Sequence, residues 1–263
     1  MITPVEKVDN ILIKRDDLYD IFGSIGGKAR SCYSLIKSAK EKGYKGVTTA
    51  GSRESPQVLL VSNIAKHMGM KAVAHTPTGS IDGTPVGMAR DVIGCEIIQH
   101  KAGYNNVIIK RSRDYAEEHN FFDIPFGMAC WTAVTETAGE ARALDKYKND
   151  IKRVVIPIGS GMSTAGIVTG LAQMGIKVPV LGVSVGASPV KRLDMYAPIL
   201  WRLNTSIINA GVPYSKHIPA SIGEIELDGI YEAKCLPFLE DGDLFWIVGT
   251  RDMPSIGKGF SGK

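Results

Sequence analysis

An α/β fold with largely parallel sheets flanked by helices is predicted by three features of the chain. Short apolar runs alternate with amphipathic segments almost from end to end, the pattern of repeated βα units. The chain has 263 residues, 44% of them hydrophobic, enough for one or two cores. No tract rich in Pro, Gly or Ser separates two halves, so two domains would be interleaved rather than strung in series. The strands predicted in order are ILIKR from Ile11, GVTTA from Gly46, KAVAHT from Lys71, EIIQH from Glu96, RVVIPI from Arg153, VLGVSV from Val180 and LFWIVGT from Leu244. Helical spacing of Ala29, Cys32, Tyr33, Leu35, Ile36 and Ala39 predicts a helix over 29–42, stopped by Gly43. Further helices are expected over 55–68, with Gly69 as the stop, and near 103–119, 131–148 and 163–174.

Composition narrows the function classes. Cys32, Cys95, Cys130 and Cys235 are far apart, with no CxxC pair and no histidines beside them. Neither a disulfide framework nor a metal site is expected, and a reducing, cytoplasmic setting fits. No apolar run approaches the roughly 18 residues of a membrane span, and MITPVEKVDN has no signal core. The net charge of +4 is mild. Its densest basic runs, KRSR at 110–113 and KYKNDIKR at 146–153, read as solvated helix ends or as a nucleic-acid patch.

Four segments could carry chemistry. In GSIGGKAR, Lys28 follows a glycine pair at a helix start. Walker chemistry fails, because Phe22 stands five residues before Gly27 and Ala29 follows the lysine. The positive end of a helix dipole disfavours a cation there, which suits an amine that must be neutral to attack a carbonyl. A surface lysine after a turn has the same spacing. In PIGSGMSTAGI, Gly159 and Gly161 allow close backbone approach, Ser160, Ser163 and Thr164 add hydroxyls, and the helix start adds N–H groups, so an anion would be held. A dinucleotide reading needs an acid at the end of the next strand, and VLGVSVGAS has none. TAGSRESPQ at 49–57 is a second anion-friendly corner or an ordinary cap. LDGIYEAK at 227–234 is by itself chemically ordinary.

Taken together and in this order, IKRDDL with the glycine pair and Lys-x-Arg, the serine-rich turn and LDGIYEAK resemble pyridoxal-phosphate enzymes of fold type II, the tryptophan synthase β-like family. The branch they resemble most is 1-aminocyclopropane-1-carboxylate deaminase and D-cysteine desulfhydrase, over about Ile11 to Thr250. The resemblance implies pyridoxal 5'-phosphate as cofactor and a Schiff base on Lys28, which would also shuttle the proton at Cα. Gly159, Ser160, Gly161, Met162, Ser163 and Thr164 would hold the phosphate. Glu232 would face the pyridine nitrogen and keep it protonated, so that the ring takes up carbanion charge as a quinonoid. Ser55 and Tyr231 would lie near the substrate.

Where the family carries asparagine after that serine, this chain has Pro56, which has no N–H and no side-chain donor, so the asparagine's contact would be lost or supplied by another residue such as Gln57. Gly27 likewise replaces an asparagine, and the chain is short around FFDIPFGMAC and between HIPASIG and LDGIYEAK. The architecture implied is a larger domain of 1–42 and 136–263 with a smaller one of 43–135, in a homodimer. The activity implied is elimination or deamination at the Cα of an amino acid, with decarboxylation or isomerisation open. An amino-acid group on a large substrate such as modified nucleic acid is the alternative, and a non-catalytic regulatory binder of the cofactor is a third.

Overall fold

A computed structural model describes residues 2–101, 105–249 and 256. The first residues of the helix expected over 103–119, and Thr250 at the end of LFWIVGT, lie outside the described residues. In chain order the elements are β1 (Val5–Val8), β2 (Ile11–Arg15), β3 (Asp20–Ile21), β4 (Ser24–Ile25), α1 (Gly27–Glu41), β5 (Gly46–Ala50), α2 (Pro56–His67), β6 (Lys71–Pro77), α3 (Pro85–Met88), β7 (Glu96–His100), α4 (Asn105–His119), β8 (Phe121–Ile124), α5 (Trp131–Ala141), β9 (Arg153–Ile158), α6 (Met162–Gln173), β10 (Val180–Ser184), α7 (Val190–Tyr196), β11 (Thr205–Asn209), β12 (Ala220–Ile222), β13 (Ile225–Leu227) and β14 (Asp243–Ile247). The α/β class is as predicted. No helix among the described residues is long and apolar enough to cross a membrane.

Contacts divide the chain into two units. Among the described residues the first takes 2–19, 25–28 and 129–249, and the second takes 20–24, 29–101, 105–128 and 256. The division puts 29–42 with the second unit, where the larger domain was expected to hold them. Within that unit, Tyr33 packs edge-on against Phe22 at 6.2 Å and Lys40 Nζ donates to Met68 O at 2.7 Å.

The first unit is built on a six-stranded sheet in the order β1-β2-β14-β9-β10-β11. Only the β1–β2 pair is antiparallel. The strands β10 and β14 are buried at every position, because helices cover parallel sheets on both faces and such strands read as continuous apolar runs. One face carries Ile13, Val155, Leu181, Val183, Phe245 and Ile247, packed with Leu227, Ala233 and Cys235. Helices α5 and α6 pack closely together. A Cβ at Gly166 would meet Thr137 Cβ at 2.4 Å, and one at Gly170 would meet Ala141 Cβ at 2.7 Å.

A fully buried lysine ties the sheet to that layer. Lys14 Nζ donates to Thr3 O, Thr3 Oγ1 and Glu140 Oε1, while Thr3 N donates to the same carboxylate oxygen at 2.7 Å. Burying two charges is tolerable only when geometry and hydrogen bonds compensate their lost hydration.

The second unit is a four-stranded, wholly parallel sheet in the order β7-β6-β5-β8. Strand β8 is not predicted from the sequence because FFDI is only four residues long, too short for a period to register. The hairpin β12–β13 is illegible for the same reason. It turns at Gly223, whose φ of 56° favours glycine.

Removing one member of the buried pair tests this tie. Glu140→Ala should lower the unfolding free energy by about 3 kcal/mol, read as an earlier urea midpoint with an unchanged slope.

Candidate active site

The glycine pair before Lys28 is fixed by backbone contact with the end of β14. Gly27 N donates to Val248 O at 3.0 Å, and a Cβ at Gly26 would come within 3.0 Å of both Gly249 Cα and Val248 O. Gly26 has φ 90°, so both its conformation and its surroundings demand glycine. At Gly27 a Cβ would meet Asp16 Oδ2 at 2.5 Å. That carboxylate is buried and accepts from Trp246 Nε1 at 3.3 Å, so a side chain here would have to displace it. Lys28 is then the second residue of α1, with an exposed side chain.

The same dipeptide holds Glu232. Val248 N and Gly249 N both donate to Glu232 Oε1, at 3.1 and 3.3 Å. Glu232 is 1% exposed, and its Oε2 has no hydrogen-bond partner among the described residues. Burial, with the Asp228 charge adding to it, pushes this carboxyl up to about 8 against the opposing pull of the backbone donors. An acid held neutral at pH 7 beside a bare oxygen suits a basic partner.

The turn after β9 opens α6. Gly161 caps the helix with φ 87°. The N–H groups of Met162, Ser163 and Thr164 belong to the first turn, where backbone donors have no intrahelical acceptor. Thr164 Oγ1 is buried and, among the described residues, also without a partner. A Cβ at Gly159 would meet Tyr231 Cε1 at 2.9 Å and its hydroxyl oxygen at 3.0 Å, so the tyrosine ring rests on this glycine. Tyr231 N and Ile230 N donate to Asp228 Oδ1, both at 2.9 Å, which fixes the turn into Glu232.

The first unit therefore gathers Lys28, Gly159 to Thr164, Tyr231 and Glu232 through backbone and ring contacts. Ser55 and Gln57 belong to the second unit. Ser55 precedes α2 but its hydroxyl does not cap that helix. Gln57 is buried with its amide committed. Nε2 donates to Thr49 Oγ1 at 3.1 Å and Pro125 O at 3.0 Å, and Oε1 accepts from Gly127 N at 3.0 Å. Those bonds brace Gly127 and Met128, at φ 70° and 54°. Both amide hydrogens are used, so Gln57 has no spare donor to stand in for the asparagine that Pro56 replaces.

Two residues escape a reading of the sequence. Val248 and Gly249 act through backbone atoms alone, and no side-chain pattern announces such a role.

The pyridoxal phosphate implied by the resemblance fits these residues. It needs an anion cradle for its phosphate and a proton-bearing group for its ring nitrogen. Two of the buried oxygens without a partner among the described residues, Thr164 Oγ1 and Glu232 Oε2, lie in segments suited to one need each.

The raised carboxyl makes a pH prediction. A group whose folded pKa exceeds its unfolded value, about 4.3 for glutamate, gives stability that is complete below that unfolded value and is lost as pH rises through about 8. In cofactor-free protein, Glu232→Gln should therefore gain thermal stability over the parent as pH is raised from about 5 to 8. A melting-temperature difference independent of pH would contradict this.

Residues 2–198 match the family described as pyridoxal-phosphate dependent enzyme. A Thermotoga maritima protein named as a candidate 1-aminocyclopropane-1-carboxylate deaminase is 25% identical over 257 residues, covering 92% of this chain and 77% of its own. The glycyl-dTMP PLP-dependent decarboxylase of Pseudomonas phage M6 is 26% identical over 187 residues, 66% of each chain. The crystal structure of an ACC deaminase homologue superposes with a TM-score of 0.81 at 21% identity, covering 98% of this chain and 91% of that one. With the matched span covering most of the chain, this chain belongs to the pyridoxal-phosphate dependent enzymes of fold type II.

Proposed function

We propose that the protein breaks a bond at the Cα of an amino acid by lyase or deaminase chemistry, with Lys28, Glu232 and the 159–164 turn as its working parts. The observation that carries this reading is Glu232 Oε2, a buried acid oxygen without a partner among the described residues, whose fellow oxygen is anchored by two backbone donors. When bound, pyridoxal phosphate supplies an electron sink for charge developing at Cα. Lys28 would hold it covalently through Nζ and then move the Cα proton. The backbone donors of 162–164 and the Thr164 hydroxyl would bind its phosphate. Glu232 would hold a proton at Oε2 for the ring nitrogen, its resulting charge being met by Val248 N and Gly249 N. Tyr231 would wall the substrate side.

Similarity to a Thermotoga maritima protein named as a candidate deaminase supports ammonia-releasing chemistry on a free amino acid. A second reading rests on the phage M6 relative, named for decarboxylation of glycyl-dTMP. On that reading the substrate is an amino-acid group carried on a nucleotide. The basic runs lend it little. Lys110 pairs with Asp114 at 2.7 Å, Lys148 with Asp145 at 2.9 Å, and Ser112 is buried against Thr48 and Asp123.

Purified protein mixed with pyridoxal phosphate should show a visible absorbance band, and borohydride should fix the label to Lys28 by peptide mass. Lys28→Ala should lose both. Glu232→Gln should keep the label while turnover falls by about 100-fold or more. Ammonia and keto acid from a panel of D- and L-amino acids would support the first reading. Carbon dioxide released only from nucleotide-borne glycine would move the assignment to the second.

A further inference from the structure

We propose that Lys234 is a positioning residue, a buried staple that fixes the segment carrying Tyr214 and, through Tyr214, the ring of Tyr231. The proposal rests on the reading above only in taking Tyr231 as a wall of the site.

Lys234 follows Tyr231 by three residues in the same short helical turn, and its backbone N–H donates to Tyr231 O at 3.2 Å. Its side chain is 1% exposed, although lysine ammonium groups normally reach solvent. Nζ donates to Pro213 O at 2.9 Å and Tyr214 O at 3.1 Å. Those carbonyls lie in the stretch between β11 and β12, where residues 213–217 are all exposed. An exposed connection has little apolar burial to order it, so two charge-assisted hydrogen bonds from a buried ammonium count heavily.

The order reaches the site by ring contact. Tyr214 meets Tyr231 edge-on, with centroids 5.8 Å apart and planes at 75°. Edge-to-face geometry of this kind is the favoured arrangement of two aromatic rings. A Cβ at Gly186, just past β10, would touch Tyr214 Cδ2 at 3.6 Å. Tyr231 in turn rests on Gly159 of the phosphate cradle. The contacts close a circuit: one helical turn presents Tyr231 and Lys234, Lys234 holds Tyr214, and Tyr214 packs back on Tyr231.

Lys216, exposed within the stapled stretch, provides the readout. In limited trypsin digestion of the protein with pyridoxal phosphate added, Lys234→Met should speed cleavage after Lys216 by about 10-fold, with sites such as Lys37 and Lys110 unchanged. Tyr214→Ala keeps the staple, so cleavage after Lys216 should stay near the parent rate. Both variants should keep the borohydride-fixed label, and both should change the visible circular dichroism of the bound cofactor by about half or more. Cleavage after Lys216 at the parent rate in Lys234→Met, or acceleration at all sites together, overturns the staple. Unchanged circular dichroism in both variants overturns the link to Tyr231. Absence of label in the parent would instead count against the proposed function, and the digestion would still decide the staple.

Discussion

The arrangement turns on two peptide units, Val248 and Gly249, at the end of β14. The carbonyl of Val248 accepts from Gly27 and so fixes the turn that starts α1. The two N–H groups point to Glu232 and hold its inner oxygen. A late strand thereby sets the position of a lysine near the start of the sequence and of a carboxyl far downstream of it. This is possible because β14 is central, pairing in parallel with β2 on one side and β9 on the other. The 159–164 turn follows β9, so it opens at the same edge as the ends of β2 and β14. Parallel sheets bring such strand ends together as a matter of geometry, which is why ligands gather there.

Electrostatics explains why this edge is chemically unusual. A carboxyl buried at 1% exposure would ordinarily be paired. Here one oxygen is satisfied by backbone and the other has no partner among the described residues, and the group is held in its neutral form up to about pH 8. The scaffold tolerates this because the rest of the unit is strongly determined. The Lys14–Glu140 pair ties the sheet to α5, and glycines at 166 and 170 let α6 approach α5 closely. Local cost at a site is commonly sustained by such surroundings.

Fold and reaction are separate questions in this family. A solved structure at 21% identity shows the architecture, and one architecture can serve different chemistries. The unit that carries Lys28, the 159–164 turn and Glu232 is the more legible, since its motifs stand in order along the sequence. Ser55 and the left-handed pair Gly127–Met128 belong to the other unit, as does the Pro56 departure from the family pattern.

Much of this was legible in the amino-acid sequence. The long β5, β6, β7, β9 and β10 runs and the five main helices announce themselves by apolar period, and collinear motifs announce the family and its cofactor. Short elements such as β8 and the β12–β13 hairpin fall below the length at which a period can be read. The sequence by itself determined which residue types were present for the chemistry: an amine, an anion turn and a carboxyl. Only the tertiary structure decided that a side chain at Gly27 would have to displace Asp16, that the Gln57 amide is bonded to Thr49 and Pro125, and that Val248 and Gly249 join Lys28's turn to Glu232. Those facts depend on backbone atoms and on neighbours remote in sequence, which side-chain identity does not encode locally.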